Sequence, residues 1–278
     1  MISMKDWKQT IVNADKTTNH YSINTEGYNE VKKKAIEKDF KKATPGEVNE
    51  VIKEQQDIVK KLEIDDRVFH TPPQASYFQV KDHKPNFQNS HANRIINPNK
   101  PQIGKVSKQI LSEVVEDIKE KTKVNLWKNT DAVIKWFENL QHKSNLKFIA
   151  FDIVDYYGSI SEKFFKEALD WARTMTNITD VEYEAILACK KTLLGDGVNL
   201  WKKKGQNGFN IAMGTYDGAE ATDIDGLFIL NKMKKFNLNI GLYRDDGLGV
   251  SNLTNRRINK VCSSLVMAWN HTWSQTIH

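Results

Sequence analysis

Cysteine is scarce in this 278-residue sequence. The two that occur, Cys189 and Cys262, stand far apart and neither belongs to a Cys-x-x-Cys pair, which argues against a disulfide framework or a structural zinc site. Long apolar runs are lacking as well. None approaches the ~20 residues of a bilayer span, so no membrane partner is expected. The opening residues MISMKDWKQTIVNADK carry charge where a secretory leader needs a continuous apolar core, so an intracellular protein is expected, nuclear or cytoplasmic. No internal repeat, low-complexity tract or long linker is visible. The histidines are scattered; His83 and His91 come closest to ligand spacing, and with no cysteine near them they read as polar loop residues. With 39% hydrophobic and 27% charged residues, the chain reads as soluble and globular, with one large core or two modest ones.

What is present is an uneven distribution of charge. The net charge is +6, and most of the excess lies between residues 81 and 108, where Lys81, Lys84, Arg94, Lys100, Lys105 and Lys108 face one acid, Asp82. This stretch also holds Pro85, Pro98 and Pro101, so it reads as loop or sheet edge. A basic, proline-punctuated segment suits phosphate contacts; an ordinary charged loop is the plain alternative. The lysines near residue 30 alternate with Glu30, Glu37 and Asp39 at helical spacing and read as a solvated helix face.

Hydrophobic periodicity predicts helices over 28–42, 47–62 and 107–122, the last with Ile110, Leu111, Val114, Val115 and Ile118 on one face. Another is expected after Thr130, with Val133, Ile134, Phe137 and Leu140 inward. NLKFIAFDIVDYY reads as a buried strand. Two helices follow it, one starting near Ser161 and one opened by a capping box of Thr179 and Glu182. A hairpin turning at Gly205 to Gly208, a helix over GAEATDIDGLFILNKMKKF and a final hairpin complete the order. The expected class is α+β, an antiparallel sheet backed by helices.

The final hairpin, IGLYRDDGLGV, carries two adjacent aspartates, and Asp246-Gly247 signals its turn. Asp152 closes the apolar strand KFIAFD. A strand-end aspartate beside a hairpin-tip aspartate supplies the hard oxygen ligands that magnesium demands, with Asp152 and Asp245 as the minimum set. Two such ions can activate a 3′-hydroxyl and stabilise a leaving pyrophosphate. Taken singly, Asp152 reads better as an acid that hydrogen-bonds a nearby loop, and the hairpin as only a hairpin.

Taken jointly and in order, these segments resemble the reverse transcriptases, most closely those of Penelope-like retroelements. FDIVDYYGSIS is similar to the first palm motif. The resemblance implies Asp152 at the metal and Asp155, Tyr156 and Tyr157 along the nucleotide, with Tyr157 as the aromatic gate against a 2′-hydroxyl. YRDDGL is similar to the catalytic hairpin, implying a catalytic and metal-binding set of Asp152, Asp245 and Asp246, with two Mg2+ ions that Mn2+ can replace. Tyr243 would brace the hairpin or touch the primer end, or simply pack in the core. AMGTYDGAEA is similar to the loop and helix beneath the templating base pair, with Met213 and Gly214 in the Met-Gly positions. KDHKPNF followed by RIINP is similar to the fingers segment, in which Lys81, Lys84 and Arg94 would approach the triphosphate. NADKTTNHY resembles the Asp-Lys motif of the Penelope-like group, with Asp15 and Lys16 in place.

The resemblance implies a right-hand polymerase with an N-terminal helical extension over 1–62, fingers over 63–145 and a palm over 146–278. Its partners would be an RNA template, a DNA primer and deoxynucleoside triphosphates. Two departures stand out. TYDG replaces the Ser-Pro that many relatives carry after the glycine of the middle motif, and beyond Val250 the lysine-bearing palm motif, primer grip and thumb are not found. The expectation is a chain without a thumb, or one supplied by a second chain. RNA-templated RNA synthesis and a non-catalytic nucleic-acid-binding remnant are the alternatives.

Overall fold

The computed structural model describes residues 8–68, 74–85, 87, 92–98, 101–236, 238–261 and 273–277; His91, Lys100 and Cys262 lie outside them. In chain order the elements begin with β1 (Gln9–Asn13), β2 (His20–Asn24), α1 (Thr25–Asp39), β3 (Phe40–Lys42), α2 (Pro45–Lys61), β4 (Tyr77–Val80), β5 (Asn93–Ile96) and α3 (Ile103–Thr122). Next come β6 (Asn125–Leu126), α4 (Thr130–Glu138), β7 (Lys147–Ile153), the single turn α5 (Tyr156–Ser159), α6 (Glu162–Arg173) and α7 (Asp180–Cys189). The rest is β8 (Leu194–Gly195), β9 (Leu200–Lys203), α8 (Gly218–Met233), β10 (Asn239–Tyr243), β11 (Asp246–Ser251) and β12 (Trp273–Ile277). Two compact units interleave along the chain, one combining residues 1–103 with 188–216 and the other 104–187 with 217–278. Among the described residues no helix is long and apolar enough to cross a membrane.

The first unit is built from small antiparallel pieces, β1 with β2, β4 with β5, and β9 between β3 and β8. Its helices begin where capping chemistry starts them. Asn24 accepts from the Glu26 N–H at the head of α1. Thr44 and Glu47 form a reciprocal capping box on α2, with Pro45 in the first turn, where a missing N–H does no harm. Val12, Phe78 and Val80 are buried against Tyr21, Ile23, Tyr28, Val31 and Ile95, and a second cluster joins Ile36, Phe40, Leu194 and Trp201. Strands β1 and β2 stand where only helix was expected before residue 62. The expected turn at Gly205–Gly208 is also displaced. The hairpin β8–β9 reverses at Asp196–Asn199, because the Asp196 carboxylate accepts the N–H groups of Val198 and Asn199.

The second unit carries a five-stranded sheet in the order β12-β7-β11-β10-β6, antiparallel except for β10 with β6. Helix α8 is apolar on nearly every side and is correspondingly buried on nearly every side. It packs on the sheet at Gly226, beside Leu126 and Leu242, and on α6 through Phe228, which meets Phe164 and Trp171 at ring-centroid distances of 5.6 and 5.5 Å. Leu111, Val114, Val115 and Ile118 of α3 are buried as their spacing predicts, and Thr179 and Glu182 form the expected box. The α4 face departs from expectation. Only Leu140, just past the helix, is buried, while Ile134 and Phe137 are exposed. The helix is seated instead through Trp136, whose ring lies 5.2 Å from Trp127 and whose Nε1 donates to Asn239 Oδ1.

Candidate active site

In the first unit, the basic strand pair and the N-terminal hairpin are locked together. The Asp15 N–H donates to the Val80 carbonyl at 2.9 Å, and its buried carboxylate accepts from Arg94 Nη1 at 2.7 Å. Asp82 Oδ2 accepts from Thr17, Asn19 and Tyr21 at 2.6, 2.9 and 3.0 Å. The bonds from Thr17 and Asn19 lead in holding this carboxyl below its ordinary range. Thus the NADKTTNHY segment and the KDH and RIINP segments form one hydrogen-bonded body. Lys16 and Lys84 stay exposed, Lys81 is half-buried, and Arg94 keeps 28% of its side chain accessible. Gly214 has φ +97, and a Cβ there would stand 2.7 Å from the Asn97 carbonyl, so only glycine fits; the half-buried Met213 precedes it.

In the second unit, β7 lies between β11 and β12, and Asp152 is directly opposite Asp246. The Ile153 N–H donates to the Asp245 carbonyl at 2.9 Å. That bond makes Ile153 and Asp245 a hydrogen-bonded pair, so Asp152 and Asp246 occupy the alternate position, where facing Cα atoms come within ~4.5 Å and side chains share a face. Two carboxylates are therefore forced side by side by sheet register. Like charges so placed are destabilising, which calls for a compensating cation. Asp245 sits at the tip.

The turn itself differs from expectation. Tyr243 pairs with Asp246, which leaves Arg244 and Asp245 as the loop, and Arg244 takes the left-handed φ of 56. Gly247 lies within β11. It is needed there for space, since a Cβ would meet the Phe151 ring at 2.1 Å. Arg244 is half-buried, and its Nη1 donates to the Ala219 carbonyl at 3.0 Å and to Asp223 on α8. Burial pushes the Asp223 carboxyl up, with the Arg244 charge pulling it back; burial works against the guanidinium, and the Asp223 charge and hydrogen bond together with Tyr157 and Glu220 outweigh it, so its pKa rises.

Among the described residues, no hydrogen bond or ion pair engages the carboxylates of Asp152 and Asp245, and no group of three or more His, Cys, Asp or Glu side chains is set close enough to cage a metal. Magnesium does not require such a cage, since it commonly binds through one or two carboxylates together with waters and substrate phosphates. Hard oxygens without a protein cation fit that ion.

Tyr157 is half-buried, with its ring 6.2 Å from that of Tyr156, and Tyr243 and Asp155 are exposed. Tyr156, beside Tyr157, is buried. It is 3% exposed, and its hydroxyl donates to the Thr222 carbonyl at 2.8 Å, so it fixes the motif against α8. Burial foremost, then the charges of Asp225 and Asp223, push its phenol well above the ordinary value.

Solved structures share this arrangement of elements. Apo telomerase from Candida tropicalis matches with a TM-score of 0.67 over 98% of this chain and 53% of that one, at 10% identity. Telomerase from Candida albicans in complex with the TWJ fragment of telomeric RNA matches with 0.60, over 97% and 48%, also at 10% identity. The fold is that of a nucleic-acid polymerase. The RNA-dependent RNA polymerase of a human picorbirnavirus matches with 0.54 over 99% of this chain and 62% of that one, again at 10% identity. The chain spans about half the length of the telomerases it matches. No protein-family model and no curated sequence matches it.

Within this polymerase fold, the five-stranded sheet with α6 and α8 behind it is the expected antiparallel palm sheet backed by helices. The second unit brings Asp152, Asp245, Asp246 and Tyr243 together, whereas Lys81, Lys84, Arg94, Met213 and Gly214 belong to the first. Sequence reasoning missed Asp223 as the partner of Arg244 and Asp82 as the anchor of the Asp-Lys segment. The only signal for Asp82 was that it is the lone acid of a basic stretch.

Proposed function

We propose that this chain is the core of an RNA-directed DNA polymerase that adds deoxynucleotides to a primer 3′-hydroxyl, and that it derives from a Penelope-like retroelement. The observation that carries the reading is the register-enforced pair Asp152 and Asp246, with Asp245 at the adjacent tip. On a polymerase fold, these carboxylates are the residues that would hold two Mg2+ or Mn2+ ions. Such ions supply activation of the 3′-hydroxyl and charge stabilisation of the leaving pyrophosphate. Lys84, Lys81 and Arg94 neutralise phosphates, with Asp15 fixing the direction of the Arg94 guanidinium. The Tyr157 ring excludes a 2′-hydroxyl, and Met213 and Gly214 support the templating pair. The likeness to a telomerase bound to RNA supports an RNA template. Likeness to a viral RNA polymerase favours RNA synthesis as the second reading.

Primer extension on a defined RNA template, with deoxy- or ribonucleotides and with Mg2+ or Mn2+, separates them. Deoxynucleotide addition is expected, and Tyr157→Val should raise ribonucleotide use relative to it. Preferential ribonucleotide addition by the wild-type chain would establish the second reading instead. Template binding without addition would leave a nucleic-acid-binding protein.

A further inference from the structure

The hairpin tip carries its own cation. Arg244 immediately precedes Asp245, and a free guanidinium there would fold onto the carboxylates of Asp245 and Asp152, because charge-assisted pairs of this kind are strong. It is held elsewhere. The backbone takes a left-handed conformation that residues other than glycine and asparagine rarely adopt, and the guanidinium reaches α8, where Ala219 and Asp223 accept from one nitrogen. Glu220 lies on the same helix. Its Oε1 stands 3.7 Å from Lys108 Nζ, while its Oε2 is buried without a hydrogen-bond partner among the described residues. The first turns of α8 therefore offer Arg244 one occupied carboxylate and one in reserve.

We propose that Asp223 is a positioning residue for the metal site, acting through Arg244. By drawing the guanidinium onto α8, it anchors the tip that presents Asp245 and keeps a resident cation off the carboxylates that a divalent ion must occupy. The inference rests on the divalent-metal reading of Asp152, Asp245 and Asp246. It assigns a task to the residue between the tyrosine and the aspartates of the hairpin.

The test is direct Mn2+ binding to the full chain, followed by electron paramagnetic resonance, with circular dichroism to confirm folding. Wild type should bind Mn2+. Combining Asp223→Ala with Glu220→Gln removes both carboxylates that can retain Arg244, and should weaken Mn2+ binding roughly fivefold to tenfold, as expected for one competing charge at a partly screened distance of several ångströms. Adding Arg244→Met should restore it, which a merely structural loss at α8 would not allow. Asp223→Asn, which keeps the shape and an acceptor, should show a smaller loss in the same direction and serves if the double variant does not fold. Binding unchanged in folded Asp223 variants, or weakened binding that Arg244→Met does not restore, overturns the proposal. A wild-type chain that binds no Mn2+ overturns the metal reading and the inference with it.

Discussion

Asp82 in the first unit and Asp152 in the second live under opposite regimes. In the first unit, Asp15, Asp82 and Glu47 each have at least one carboxylate oxygen engaged by the protein itself. Asp15 is clamped by Arg94, Asp82 gathers three donors, and Glu47 closes a capping box while pairing with Lys41. In the second unit, Asp152 and Asp245 have no such partner among the described residues, and sheet register presses Asp152 against another acid. Arg244 at that tip is turned away onto α8. Among the described residues, Asp82 gathers three donors to one oxygen, whereas the carboxylates of Asp152 and Asp245 accept from none. Exposure alone does not make the distinction, since Asp82 and Asp152 are both half-buried.

The largest effect that would break this comparison is catalytic. Asp152→Asn or Asp245→Asn should abolish primer extension, with a loss of ~4 kcal/mol in transition-state stabilisation, or about a thousandfold in rate. Near-normal extension by both variants would show that these acids are as structural as Asp82. Next is Asp15→Asn, which should lower unfolding free energy by ~2 kcal/mol, because it weakens a charge-assisted bond to a buried acceptor. Denaturant unfolding with an unchanged midpoint would remove Asp15 from the structural class.

The third prediction has the opposite sign. Without divalent ions, Asp152→Asn should raise stability by ~0.5 kcal/mol, since it relieves a facing like charge. Added Mg2+ should then stabilise wild type more than the variant. A thermal shift identical for both would argue against Asp152 as a ligand. The smallest effect concerns Glu47, which the Thr44 backbone N–H and then Lys41 bring down to about 2 from 4.5. A carboxyl lowered by folding adds stability that is complete above the unfolded value and lost as pH falls through the folded one. Glu47→Gln should therefore narrow the stability difference between pH 5 and pH 2 and leave the slope above pH 5 unchanged.

How far the sequence discloses such differences depends on range. Asp152 at a strand end and Asp245 in a hairpin are local patterns, and both were legible, as were the helix caps at Thr179 and the buried face of α3. The turn residue was misread because Asp246-Gly247 is a turn signal by propensity, while Gly247 is present to clear the Phe151 ring from the neighbouring strand. The α4 face was misread because periodicity reports which residues align, not what lies opposite them. Partnerships between distant residues, Arg94 with Asp15 and Arg244 with Asp223, leave no local trace at all.

The interleaving of the two units bears on how the protein comes to exist. Asp152 and Asp246 are separated by roughly a hundred residues, a contact of high sequence separation of the kind that slows folding. Between them the chain leaves the second unit, lays down residues 188–216 in the first, and returns. During synthesis, then, the acidic pair cannot close until residues 188–216 have already emerged and β11 has followed them. Neither unit can be excised as one continuous piece of polypeptide. A dissection would need residues 104–187 joined to 217–278 by a designed bridge, and a nascent chain arrested before β11 would present β7 with the edge meant for that strand still open to solvent.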